Sequence, residues 1–253
     1  MKKISFILFT LVNTLLISNS YGTSPDTNEN STIIVSSASL EDFFNYTNTF
    51  LGKYISNGNV DYTAIKTEKT TLDQLIETVA TADLSAADKN TSIAFYLNAY
   101  NLLVIKSVVE NMPITSPLDV TGFFDTKKHK IAGGYLTLND IENNKLRPDA
   151  RVHFSLVCAA KGCPKITSEA FMPNKVQDQL NALTKKAFND PNFMKVDDSA
   201  KTAKISHIFE WYKEDFTRGG GSVIEYINKF RDVQIPSSYT QGYYDYDWKL
   251  NGK

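Results

Sequence analysis

A long apolar run near the middle of the chain constrains the fold most. Residues 93–109 read IAFYLNAYNLLVIKSVV and are apolar around nearly the whole circumference of a helix. A helix with a single apolar stripe lies on a surface, whereas a helix that is apolar all round is enclosed by other elements. The run therefore predicts a central buried helix around which the rest of the protein packs.

The segments on either side of this helix predict a mixed fold. Apolar residues at helical spacing, in several cases with a cap residue before them, predict further helices before and after it. These begin near Ser39, include 72–79, follow Thr137, and extend over 175–188, 208–216 and 222–230. Segments within residues 129–137, 151–157 and 193–206 predict strands, because they combine β-branched and aromatic residues with turn residues. We therefore expect an α+β fold in which the helix over 93–109 packs with a small, mostly antiparallel sheet and surrounding helices.

The beginning of the chain has the pattern of a secretory signal. Two lysines precede an apolar stretch over residues 4–17, and small residues follow at a spacing suited to signal peptidase. That stretch is shorter than the roughly 20 residues that span a bilayer. We expect a signal peptide at 1–22, a flexible leader at 23–38 and a single domain at 39–253. The mature protein is then periplasmic or secreted and has no membrane span.

The charge balance argues against one class of partner. The chain has 27 lysine and arginine residues against 28 aspartate and glutamate residues, and no run of five like charges. Proteins that bind nucleic acid usually carry a basic patch or tail. We therefore expect no nucleic-acid binding. No motif indicates a cofactor, so we expect none, and the partners are unknown at this point.

The two cysteines of the chain lie in one short string, CAAKGCP, at residues 158–164. In an oxidising compartment, Cys158 and Cys163 are most simply a disulfide that closes a small loop. The alternative is a reactive thiol: Cys158 follows a predicted strand that carries His153, and a nucleophile needs a base to take its proton. In a straight strand the two side chains are on opposite faces, so the sequence leaves the pairing open.

Two further interpretations of the cysteines are less favoured by their spacing. His153, Cys158, Cys163 and Glu142 are acceptable ligand types, but H-x4-C-x4-C matches no compact zinc pattern, so we expect no metal site. Proteins that catalyse thiol–disulfide exchange usually have two residues between their cysteines. Four residues separate Cys158 and Cys163. If the thiol is the nucleophile, His129 or His207 could replace His153 as its base.

Three polar residues of the predicted central helix are candidate site residues. Asn98 and Asn101 are three positions apart and share a helix face with apolar neighbours, and Tyr100 lies between them. A buried amide must find partners or cost about 1–3 kcal/mol. The amides either fasten loops to the helix or orient a catalytic group near Cys158.

Three charged residues are further candidate site residues, and a group of aromatic residues is considered with them. Glu142, Arg147 and Arg151 predict either an ion-pair network or a pocket for an anionic substrate, with Glu142 also a candidate orienter of a catalytic base. A set of aromatic residues is expected to belong to the core, because large rings more often fill cores than line sites. This set is Phe209, Trp211, Tyr212, Phe216 and Trp248.

Six ordered strings resemble one known family. They are NVDYTAIK, FYLNAYNLLVIK, LTLNDIENNKLR, RVHFSLVCAAKGCP, FEWYKEDF and YDWKLN, and they extend roughly from Val60 to Asn251. Together they resemble the domain of unknown function 547 family. The resemblance implies an exported bacterial member with a fold similar to the papain and transglutaminase-like thiol hydrolases. Likeness of fold alone does not imply their chemistry.

Two functions therefore remain open from the sequence. The first is an envelope binding or interaction module in which Cys158 and Cys163 form a structural pair, with Tyr100, Asn101, Arg147 and Arg151 as binding residues. The second is a thiol-dependent hydrolase or acyl transferase. In that case Cys158 is the nucleophile, His153 the base, and Asn98 or Glu142 the orienting group.

Overall fold

The computed structural model describes residues 39–253. The predicted signal peptide and leader, residues 1–22 and 23–38, lie outside the described residues. Helices and short strands alternate along the described chain, and the strands form three small sheets. The prediction of an α+β fold with a buried central helix is confirmed.

The central helix, α4, extends over Lys89–Asn111. It begins at Asp88, whose side chain accepts a hydrogen bond of 2.7 Å from the Thr91 amide and so caps the first turn. Most of its side chains between Ala94 and Val109 are buried, as the apolar run predicts. α4 is also the one helix in the described part of the chain that is long and apolar enough to span a membrane, and 78% of its most apolar window is buried inside the protein.

The other helices surround α4 or follow it in the chain. Four of them, α1, α3, α6 and α9, lie at or close to the segments where helical spacing predicts them. The region predicted as one helix over 208–216 is divided into two short helices at Tyr212. The helices are α1 (Leu40–Tyr54), α2 (Tyr62–Thr67), α3 (Thr70–Thr81), α5 (Leu138–Ile141), α6 (Val176–Asn189), α7 (Ile208–Trp211), α8 (Lys213–Thr217) and α9 (Val223–Asn228).

The strands are short and form separate sheets. β1 pairs with β2 and β3 with β4 as antiparallel hairpins, while β6 pairs antiparallel with β5 and parallel with β7. The pairing of β6 with the late strand β7 was not predicted. The strands are β1 (Ile55–Ser56), β2 (Asn59–Val60), β3 (His129–Ile131), β4 (Gly134–Leu136), β5 (Lys195–Asp197), β6 (Thr202–Ile205) and β7 (Thr240–Tyr243).

The prediction of a strand over 151–157 is wrong. Residues Ala150–Phe154 form a 3-10 turn, and the chain continues without a strand partner to Cys158. Asp149 caps the turn by accepting a hydrogen bond of 3.0 Å from the Arg151 amide. The β-branched and aromatic residues here are buried because of tertiary packing, which β propensity alone does not distinguish from strand formation.

The 3-10 turn joins two hydrophobic clusters. Val152 belongs to the larger cluster around α4, and Phe154 to a second cluster, of aliphatic and phenylalanine side chains, that is formed mostly by residues after 186. Phe154 contacts the rings of Phe188 and Phe209 within that second cluster. His153, between Val152 and Phe154, is therefore held where the two clusters meet.

Candidate functional site

His153 is fixed at both ring nitrogens. Its Nε2 lies 2.7 Å from Asp215 Oδ2, and its Nδ1 lies 3.3 Å from Glu142 Oε1. The ring also stacks on Tyr212, with centroids 4.0 Å apart and planes at 27°. Its side chain is only 2% exposed. The imidazole is thus oriented by two carboxylates and one ring.

Asp215 is held by two arginines as well as by His153. Arg147 donates from Nε to Oδ2 over 2.7 Å and from Nη2 to Oδ1 over 2.8 Å, and Arg218 donates from Nη2 to Oδ1 over 3.0 Å. Burial would raise the pKa of Asp215, but the hydrogen bonds from Arg147 and His153 outweigh burial and lower it. Asp215 is therefore an ionised carboxylate with its charge well matched.

The cysteines form a disulfide between Cys158 and Cys163, with Cα atoms 6.3 Å apart. Among residues 39–253 no cysteine is free. The Tyr246 hydroxyl lies 3.1 Å from each sulfur, and the Cys158 amide donates to the Cys163 sulfur over 2.9 Å. Within the described chain, no imidazole is within hydrogen-bonding distance of either sulfur. The thiol–imidazole pair of the hydrolase hypothesis is therefore not assembled in this state.

The loop between the two cysteines is paired with the end of the chain. The Lys161 amide donates to the Lys249 carbonyl, and the Gly162 amide donates to the Asp247 carbonyl, each over 2.8 Å. A Cβ at Gly162 would lie 3.0 Å from the Asp247 nitrogen and from ring atoms of Tyr246. This glycine allows the close approach that brings Tyr246 to the disulfide. The aromatic end of the chain is thus docked on the cysteine loop.

The two amides of α4 hold loop backbone. Asn98 bonds the Phe171 carbonyl at 2.8 Å and the Phe171 amide at 2.9 Å. Asn101 bonds the Ser155 carbonyl and the Val157 amide, each at 3.1 Å. Neither amide lines the pocket described below. Asn101 therefore positions the chain that leads into Cys158.

The two predicted binding arginines are in different surroundings. Arg147 is occupied by Asp215 and by Asn143, to which it donates over 2.6 Å. Arg151 is occupied by Asp149, with contacts between 2.5 and 3.2 Å, and by Asn181 and Gln177. These contacts form the ion-pair network that was one of the two expectations for the arginines.

Several of these residues converge on one cavity of about 340 Å³, which we call the aromatic pocket. Tyr100, Glu142, His153, Cys158 and Cys163 line it, so five of the nine predicted site residues meet there. Its remaining walls are formed by other rings and by a few apolar and amide side chains. These are Phe124, Asn139, Leu156, Ile208, Trp211, Tyr212, Tyr246 and Trp248.

The expectation that the late aromatic residues belong to the core is correct for two of them and wrong for three. Phe209 and Phe216 are buried. Trp211 is 48% exposed, and Tyr212 and Trp248 are half-buried, and all three line the pocket. Burial raises the pKa of Tyr212, as does the nearby carboxylate of Glu142, so its hydroxyl remains protonated.

Two important residues were missed from the sequence. Asp215 lies seven residues after Ile208 and three after Tyr212, which is the spacing of one helical face and could have indicated it. Tyr246 lies in the dense aromatic end of the chain, YYDYDW, but nothing local relates it to the cysteines. The carboxylate and the ring reach the site through long-range packing.

A second cavity, of about 240 Å³, lies against the same disulfide, because Cys163 lines both cavities. Its charged lining residues are of both signs. They are Lys161, Lys165, Lys186, Lys195, Asp190, Asp245 and Asp247. Within residues 39–253 no group of three or more His, Cys, Asp or Glu side chains has a geometry that could hold a metal ion.

Comparison with known proteins identifies the domain at the centre of this geometry. Residues 84–188 match the model of a family described as protein of unknown function, DUF547. This match supports a DUF547 family domain within the chain. Neither a curated protein nor a solved structure matches the chain.

The DUF547 match includes only part of the site. Glu142, His153 and the disulfide lie within it, together with α4. Asp215 and the pocket rings Trp211, Tyr212, Tyr246 and Trp248 follow residue 188, so they come from outside the matched residues. Glu142 and His153, within the matched residues, form the polar wall of the pocket. The part of the chain after residue 188 supplies most of its aromatic wall.

Proposed function

We propose that this protein is an exported binding protein, periplasmic or secreted, whose aromatic pocket takes a small ligand. The observation that supports this most strongly is the state of the two groups needed for thiol chemistry. Both sulfurs are joined in the disulfide, and both nitrogens of His153 face carboxylates. What remains accessible is a concave surface of rings with a few polar groups, which is the usual composition of a ligand site.

The disulfide contributes to the proposed site as a wall. It closes a small loop that pairs with the end of the chain, and the end of the chain carries Tyr246 and Trp248 into the pocket. An oxidising compartment would maintain this bond. The apolar stretch at residues 4–17 and the disulfide therefore support export independently of each other.

Intrinsic fluorescence offers a direct test of binding. The chain has two tryptophans, and both line the aromatic pocket. We expect a panel of small amines, alcohols and carboxylates to include at least one compound that changes the emission saturably. Tyr246→Leu should weaken that response, whereas Tyr135→Leu, on an exposed ring outside the pocket, should not. No saturable response from any class would contradict the proposal.

One observation favours a thiol hydrolase or acyl transferase as a second candidate. Cys158 and His153 line the same pocket, so a free thiol at 158 would be in the same cavity as the imidazole. Cys163→Ala removes the disulfide partner and frees this thiol. The second candidate requires this variant to cleave a thioester or activated ester in bursts that Cys158→Ala lacks. Equal, slow cleavage by both variants would exclude it.

A further inference from the structure

We propose that the ligand of the aromatic pocket is a small organic cation with an ammonium or methylated ammonium group. This inference rests on the proposed binding function and specifies the class of ligand. Two features of the pocket lead to it: a buried carboxylate that shares its imidazole neighbour with Asp215, and rings that meet at different angles around the open space.

The carboxylate is Glu142, whose side chain is 8% exposed and lines the pocket. The nearest ionisable side chain is His153, at 3.3 Å, and the Tyr212 hydroxyl is also close. Arg147 interacts with Glu142 electrostatically, but its hydrogen bonds go to Asp215 and Asn143. That imidazole is shared with Asp215, which it approaches more closely, at 2.7 Å. Glu142 is thus a buried carboxylate whose imidazole neighbour is shared with another carboxylate.

Asp215, in contrast, is already paired with cationic side chains. Arg147 contacts both of its oxygens, and Arg218 contacts one. In the part of the chain that the structure describes, the residues that line the pocket include no lysine or arginine. A buried charge is costly unless it is paired, so a ligand that brings a positive charge to Glu142 is favoured. An anionic ligand is disfavoured for the same reason.

The rings provide the second part of the site. The Trp211 and Trp248 centroids are 5.9 Å apart with planes at 27°, and Tyr246 lies 5.0 and 4.8 Å from them at tilts of 58° and 52°. Ring faces attract cations, and several rings around one space recognise methylated ammonium groups. Trp211 is 48% exposed, so this side of the pocket is open to a ligand. The rings and Glu142 together define a cation site.

Choline and 3,3-dimethylbutan-1-ol test the inference, because they have nearly the same shape and differ in charge. Titrating the purified protein with each while recording tryptophan emission compares the two directly. We expect choline to bind at least about tenfold more tightly than the neutral alcohol. Added sodium chloride should weaken the choline response and leave the alcohol response unchanged.

A pair of variants tests the role of Glu142. Glu142→Gln should reduce the preference for choline over the alcohol by at least about threefold, because the ammonium group loses its carboxylate partner while the ring faces remain. Glu169→Gln makes the same chemical change at an exposed position outside the pocket and should leave the preference intact. The wild-type comparison stands even if Glu142→Gln folds poorly.

The possible results separate this inference from the proposed function. Equal affinity for choline and the alcohol overturns the cation inference and leaves the binding function standing. Saturable binding of carboxylates or alcohols without choline binding has the same meaning. No response to any compound of the panel overturns both.

Discussion

His153 and Asp215 are 62 residues apart in sequence, and their Nε2 and Oδ2 atoms meet at 2.7 Å. This contact joins the 3-10 turn before the disulfide to the short helix α8. Through Arg147, it also fixes the turn that follows Glu142. The geometry of the polar wall of the pocket therefore depends on one carboxylate.

Replacing that carboxylate should be strongly destabilising. Asp215→Asn leaves Arg147 and His153 beside a neutral amide; breaking a fully buried ion pair costs about 3–5 kcal/mol, and the 25% exposure of the Arg147 side chain places the cost at or below the lower end. Urea denaturation measures the loss. Asp149→Asn breaks the Asp149–Arg151 pair, in which the aspartate side chain is 30% exposed, whereas that of Asp215 is fully buried. It should cost clearly less, and equal costs would contradict the account.

Acid should remove the contribution of Asp215. Its pKa is lower in the folded protein than in the unfolded chain, so it stabilises the fold above the unfolded pKa and loses this effect as the pH falls through the folded pKa. The difference in unfolding free energy between wild type and Asp215→Asn should therefore shrink below about pH 4. A difference independent of pH would show that the charge of Asp215 is unimportant.

His129 should make the unfolding free energy depend on pH over a higher pH range than Asp215 does. Burial, and then the charges of Lys127 and Lys106, lower the pKa of this imidazole to about 4, and its Nε2 is buried without a partner. The folded pKa lies below the unfolded value of about 6.5, so stability is full above that value and falls as the pH drops toward the folded pKa. The loss should be about 3 kcal/mol, and His129→Leu should remove it. If the urea midpoints of the wild type and of His129→Leu changed with pH in the same way, this prediction would be wrong.

Asn101 should be important for stability because it bonds two backbone groups. Asn101→Leu leaves the Ser155 carbonyl and the Val157 amide without their partner, at about 1–3 kcal/mol for each group. Urea denaturation should show a loss of at least about 2 kcal/mol. The matched variant Asn111→Leu removes one local bond, to Ser107, and should cost less. A smaller loss at position 101 than at 111 would refute the anchoring role.

Gly162 should be important for the pocket itself. Gly162→Ala places a Cβ against the Asp247 nitrogen and the Tyr246 ring, so the end of the chain must move away from the disulfide. We expect a shifted tryptophan emission and a weaker ligand response. Gly242→Ala, where no atom lies within 4 Å of the added Cβ, provides the control. Unchanged emission and binding in Gly162→Ala would show that the close approach is not required.

Local patterns predicted much of the fold. The apolar run at 93–109 identified α4, since its enclosure follows from the composition of the helix alone. The hairpin at Gly133 and Gly134 also follows from local turn chemistry. The prediction of a strand over 151–157 failed because the partners of this segment are distant in sequence. Asn101, 54 residues before Ser155, donates a hydrogen bond to the Ser155 carbonyl, which in a strand would accept one from a neighbouring strand.

The candidate site was predicted in part for the same reason. Glu142, His153 and the cysteines lie close together in sequence, and the structure does bring them to one pocket. Asp215 and Tyr246 join them from more than 60 residues beyond His153, and no local pattern specifies that contact. The tryptophans were assigned to the core because ring content alone does not distinguish a core from a pocket wall.

The thiol state of the purified protein decides between a structural disulfide and a free nucleophile at Cys158. Alkylation under native and then denaturing conditions, without reductant, followed by mass measurement, counts the free thiols. The account predicts no labelling in either condition until reductant is added, because Cys158 and Cys163 are joined. Rapid native labelling of Cys158 at neutral pH would contradict it and would favour the thiol hydrolase or acyl transferase as the candidate to test next.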